Sequence, residues 1–76
     1  MATKYVDMGR SRERAGAIVV HAFEDGRELP VGVFFGYVKG NRVSLYPTDA
    51  ATRSYYRGVS SISIYDLKAW GSYVHK

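Results

Sequence analysis

The sequence predicts an α+β fold, a small antiparallel sheet of about four strands in the order βββαβ along the chain, with one short helix packed on one face. Three observations carry this expectation. Residues 31–38, Val-Gly-Val-Phe-Phe-Gly-Tyr-Val, form a run of β-branched and aromatic residues too short to stand as an independent helix. Two further strand-like segments flank that run across turn signals, Asp25-Gly26 before it and Lys39-Gly40-Asn41 after it. Beyond Pro47 the strand pattern gives way to a segment with a capping residue at one end and a glycine at the other.

The elements follow in order. Residues 1–14 hold Lys4, Arg10, Arg12 and Arg14 with little apolar content besides Tyr5, Val6 and Met8, so they read as a basic N-terminal arm or an edge strand. The folded α+β domain is then residues 15–76. Residues 17–23, Ala-Ile-Val-Val-His-Ala-Phe, read as the first strand. Asp25-Gly26 supplies the positive backbone angles of a hairpin, and Pro30 must start the next strand or lie at an edge. Residues 42–46 alternate, with Val43 and Leu45 on one face and Arg42, Ser44 and Tyr46 on the other, which predicts the third strand of a meander.

Thr48 is placed to cap a helix of about nine residues over 49–57. Asp49 suits the positive end of its dipole, and Gly58 supplies a left-handed stop. Residues 59–66 alternate again, placing Ile62 and Ile64 on one face, and form the fourth strand. Residues 67–76, with Trp70 and Tyr73, fit either a helical turn or a further strand. Antiparallel sheets tolerate one wet face, so the side the helix leaves open is where a binding surface is expected.

Composition bounds the function. With 76 residues and no cysteine, the chain has a thin core and no disulfide or thiolate metal site, which points to a reducing, cytoplasmic setting. No apolar run approaches the length of a membrane span, and the N-terminus does not read as a signal peptide, so a soluble protein is expected. Eleven Lys and Arg against seven Asp and Glu give a net charge of +4, which favours nucleic acid or an acidic protein surface as partner.

Residue chemistry argues against catalysis. His21 sits inside a predicted strand and His75 next to the last residue, neither with an orienting acid or nucleophile beside it. Ser60, Ser61 and Ser63 lie near Asp66 without a nucleophile elbow. No catalytic residue, cofactor or metal ligand is assigned. Gly32, Gly36 and Gly40 recur every fourth residue and would leave a flat strip along one side of a strand. Packing of Trp70, or of Ala50 and Ala51, against that strip is expected ahead of a bound base or sugar.

Binding residues come from two pools. Seven tyrosines exceed what so thin a core needs, so Tyr37, Tyr46, Tyr55, Tyr56, Tyr65 and Tyr73 supply interface anchors, with about half expected to bury the ring and wet the hydroxyl. Arg10, Arg12 and Arg14 alternate with Ser11 and Glu13, and an extended arm would aim all three guanidinium groups the same way as a comb for phosphates or carboxylates. The candidate binding set is Arg10, Arg12, Arg14, Tyr37, Arg42, Tyr46, Arg53, Tyr56, Arg57 and Tyr65.

Phe35-Gly36-Tyr37-Val38 partly resembles the central part of the aromatic motif of the RNA recognition motif family, whose exposed sheet rings stack bases. The likeness covers four residues; Phe34 and Gly40 depart from the pattern, and no helix separates the first two predicted strands as that fold requires, so membership is excluded. In general physique (small, cysteine-free, tyrosine-rich) the chain is similar to compact inhibitors encoded by phages and other mobile elements, including anti-defence proteins. The leading expectation is a non-enzymatic protein that attaches to and modulates or inhibits a larger cytoplasmic protein with an acidic surface. The alternative is a small basic nucleic-acid-binding domain, which rises ahead if the arginines form one acid-free face. A homodimer through open sheet edges is expected in either case.

Overall fold

The computed structural model describes residues 2–69, and their fold corrects the expected class. It is a six-stranded mixed sheet curled nearly into a barrel, with one short helix, and not a four-stranded antiparallel sheet. The strands are β1 (Thr3–Arg10), β2 (Ile18–Glu24), β3 (Gly32–Lys39), β4 (Arg42–Pro47), β5 (Ser61–Ser63) and β6 (Leu67–Ala69). Helix α1 (Ala50–Tyr55) separates β4 from β5, and a 3₁₀ turn over Ile64–Asp66 separates β5 from β6. Among the described residues no helix is long and apolar enough to cross a membrane.

The strand order is β5-β4-β3-β2-β1-β6, antiparallel throughout except for the parallel pairing of β1 with β6. β1, expected as an arm or edge, therefore lies between two neighbours. The curl follows from the connection between the edges. A flat sheet of six strands would set its edge strands about 24 Å apart, whereas the chain from Ser63 to Leu67 spans at most about 15 Å. With β5 and β6 at opposite edges and only the 3₁₀ turn between them, the sheet bends until the edges approach.

Strand register defines two faces. Val20, Ala22, Phe34, Val43, Leu45 and Ile62 point inward and form the core with Tyr56, which the end of α1 delivers. The alternation expected for β4 is present, with Val43 and Leu45 buried and Tyr46 exposed. The glycine strip lies inside the barrel: a side chain at Gly36 would meet Val20, Ile18 and Val43, and one at Gly32 would meet Tyr56 and Thr52. Gly40 instead turns the β3–β4 hairpin with φ +62. Of the two occupants expected on the strip, Trp70 lies outside the described residues, and Ala50 and Ala51 are exposed, Tyr56 and Thr52 taking the place beside Gly32 instead.

The helix is shorter than expected and differently capped. Asp49 is the N-cap, its Oδ1 accepting the Thr52 N–H at 2.7 Å, while the Thr48 hydroxyl donates to the Val33 carbonyl at 3.0 Å. Only six residues are helical, and Tyr56 takes the C-cap. The helix contacts β3 and β4 at one end of the barrel and does not blanket a sheet face. The predicted strand over 59–66 is likewise cut to three residues, because Ser63 breaks it: its hydroxyl accepts the Tyr65 N–H at 3.2 Å and starts the 3₁₀ turn.

Candidate nucleic-acid interface

The outward face of the sheet carries the candidate surface. By register Val19 pairs with Phe35 and Phe35 with Tyr46, while Tyr37 pairs with Ser44 and Lys39 with Arg42. These side chains occupy the face opposite the core. Tyr37 and Tyr46 meet diagonally across β3 and β4, edge to face, with ring centroids 5.5 Å apart.

Arg14 joins them from the β1–β2 connection. The Ser11 hydroxyl accepts the Glu13 and Arg14 N–H groups at 3.1 and 3.0 Å. The backbone closes with Ser11 N–H donating to the Ala17 carbonyl at 2.8 Å and Ala17 N–H to the Arg14 carbonyl at 3.1 Å. Residues 11–17 are thus a closed turn, and the extended comb of three parallel arginines is not formed. Arg10 ends β1, Arg12 stands exposed in the turn, and Arg14 folds back with its guanidinium carbon 5.0 Å from the Phe35 ring centroid. Arg14, Tyr37 and Tyr46 line a shallow cleft of about 300 Å³.

At the outward positions of β1 to β4 the charged residues are Lys4, Lys39 and Arg42, and no carboxylate stands among them. The inward side holds Asp7 and Glu24, which pair with Val20 and Thr3, together with Arg10, which pairs with Ile18 past the bulge. Arg42, exposed at the hairpin tip, donates through Nε to the Ser61 hydroxyl at 3.1 Å, which fixes the approach of its guanidinium. His21, also outward, is half-buried, and burial holds its imidazole below the usual value.

Not every expected residue joins this surface. Tyr56 is 8% exposed and belongs to the core, edge to face with Phe34 at 5.5 Å, so it is no surface anchor. Its reassignment follows from the close approach that Gly32 permits. Arg53 and Arg57 stand with α1 at the end of the barrel that also holds Asp49, Glu24, Asp25 and Glu28, away from residues 11–17. The six candidate arginines therefore divide between two ends and do not make one continuous face. Tyr65 is exposed on the 3₁₀ turn, outside the cluster, and Tyr73 lies outside the described residues.

Sequence reasoning missed Phe35 and Lys39. Strand alternation was the available signal, since it places both on the side of Tyr37. At the α1 end, the buried Glu24 carboxylate receives the hydroxyls of Thr3, Tyr55 and Tyr56 on one oxygen, each at a long 3.4 Å. This group ties β1, β2 and α1 together. Among the described residues no three His, Cys, Asp or Glu side chains converge as metal ligands would. Comparison with protein-family models, with curated proteins and with solved structures returned no match to this chain.

Proposed function

We propose that this chain is a non-enzymatic binding domain that takes nucleic acid on the outward sheet face near residues 11–17. The arginines taken together do not form the single acid-free face that would favour nucleic acid over a protein partner, so the reading rests on a narrower observation: two tyrosine rings meet a ring-stacked guanidinium on a face whose β1 to β4 positions hold cations and no carboxylate. A phosphate backbone needs positive charge without nearby repulsion, and bases need π-faces. Arg12, Arg14, Lys39 and Arg42 supply the charge at this end, and Glu13 is the one acid in the turn beside them. The absence of cysteine is consistent with a cytoplasmic setting. Gel retardation against mixed DNA and RNA at about 50 and 200 mM salt tests the reading: a shift at low salt that fades at high salt supports it, and no shift at low salt removes it.

A second reading has its own support. Leu29, Tyr55 and Tyr65 are 78%, 60% and 84% exposed, all outside the basic face, and large exposed apolar groups suit a protein partner. On this reading the chain attaches to a larger protein with an acidic surface and modulates it, as compact inhibitors of phages and mobile elements do. Loss of partner binding in a Tyr55→Ala, Tyr65→Ala double variant, with nucleic-acid binding absent, would place it ahead. Self-association by edge pairing has three residues of β5 and three of β6 to work with, less backbone than an open four-stranded sheet provides.

A further inference from the structure

We infer that the ligand is a single strand, one of whose bases seats in the cleft between the Arg14 guanidinium and the rings of Tyr37 and Tyr46. The inference rests on the nucleic-acid reading and adds strand state and mode of contact to it. Its basis is the form of the cleft. Two of its walls are aromatic and the third is a planar cation already stacked on Phe35, so each wall can make a stacking or edge contact with a flat heterocycle. A volume of about 300 Å³ stands at the small end of the range for ligand sites, right for one ring system and its substituents.

The surroundings suit a strand and not a duplex. In a duplex the base faces are closed by their neighbours and only the edges are offered in the grooves, so the rings of Tyr37 and Tyr46 would find nothing to stack against. From Tyr46 to Arg42 the outward side of β4 runs about 13 Å toward the hairpin tip, at roughly 3.3 Å per residue. A backbone leaving the cleft in that direction passes Ser44 and reaches Lys39 and Arg42, which pair across the strands. Arg14 therefore contributes a plane as well as a charge, and the two can be separated by substitution.

Fluorescence anisotropy of a labelled oligothymidylate, set against a hairpin duplex with the same number of phosphates, tests the inference. The single strand should bind more tightly than the duplex. Tyr46→Ala should weaken it about 5- to 150-fold, and Tyr46→Phe should restore most of the loss, because the ring and not the hydroxyl makes the contact. Arg14→Lys should lose affinity while keeping the salt slope, and Arg14→Ala should lose affinity and flatten the slope by about 0.7. Tyr46 is half exposed, so circular dichroism of the variant checks that the fold is intact. Equal binding of strand and duplex, with Tyr46→Ala unchanged, overturns the stacking inference and leaves the nucleic-acid reading standing. No binding of either probe at about 50 mM salt overturns both.

Discussion

The rings of Phe34 and Tyr56 meet edge to face at 5.5 Å across the core, one from the middle of the sheet and one from the C-cap of α1. This contact anchors α1, because Tyr56 is the side chain that enters the core cluster from that segment and Gly32 leaves room for its ring. Tyr56→Ala should destabilise the domain by about 3–5 kcal/mol, the cost of an emptied aromatic site, which is a large share of the stability of so small a fold. Tyr56→Phe, which loses only a long hydrogen bond to Glu24, should cost about 0.5 kcal/mol. Urea unfolding of the two variants measures the difference.

Gly36 lies where a methyl group would come within 2.8 Å of Val20 and 3.0 Å of both Ile18 and Val43. These are branched core side chains with little freedom to withdraw. Gly36→Ala is expected to overpack the barrel by about 1–3 kcal/mol, read as a lower urea midpoint with an unchanged m-value. An unchanged midpoint would mean that the sheet slides apart more readily than its packing suggests.

The phenols of Tyr5 and Tyr56 are held above their ordinary value of 10.0, by burial first and by the Glu24 carboxylate second. The folded chain thus keeps protons that the unfolded chain gives up. That contribution is complete below about pH 10 and disappears as pH climbs from there through the folded values, so stability should fall on the alkaline side. Glu24→Gln removes the carboxylate charge and should lower both phenols, giving a shallower alkaline decline. Urea midpoints measured across that range, together with tyrosinate absorbance, check it.

Asp49 behaves in the opposite sense. The Thr52 backbone N–H, and then the Thr52 hydroxyl, hold its carboxyl below the usual aspartate value of 3.8. Its capping contribution is therefore present above that value and is lost as pH falls through the lower, folded one. Asp49→Asn keeps an acceptor for Thr52 but removes the ionisation, so its thermal midpoint should lose that part of the acid dependence. A variant whose acid limb overlays the parent's would show that other carboxyls set it.

Ser11 is the knot of the arginine turn, accepting two N–H groups on one hydroxyl. Ser11→Ala should speed amide exchange at residues 13 and 14 while leaving the core amides unchanged. It should also weaken oligothymidylate binding several-fold, since Arg14 loses its fixed approach to Phe35. Strand binding equal to the parent's would make the turn irrelevant to the cleft.

The legible part of this fold was its centre. β2, β3 and β4 announce themselves by β-branched and aromatic runs or strict alternation, and the inward set Val43 and Leu45 is readable without coordinates. β1 hid because its buried and exposed positions do not alternate in kind. Asp7 points inward, and a bulge between Asp7 and Arg10 shifts the register, with Gly9 at φ 108 donating its N–H to Asp7. β5 and β6 are three residues each, below the length at which a period can be read. The site divides the same way. Tyr37 and Tyr46 followed from alternation, whereas the fold-back of Arg14 depends on Ser11 and on a ring twenty-one positions away, and burial of Tyr56 depends on a glycine in another strand.

The pairing of Tyr5 with Leu67 joins segments sixty-two positions apart. During synthesis the N-terminal strand therefore emerges long before its outer neighbour exists, and its free side stays open until residues 67–69 have left the ribosome. Seam formation is consequently a late event. A nascent chain of this kind should reach its protease-resistant state only after translation past that point, in one final step.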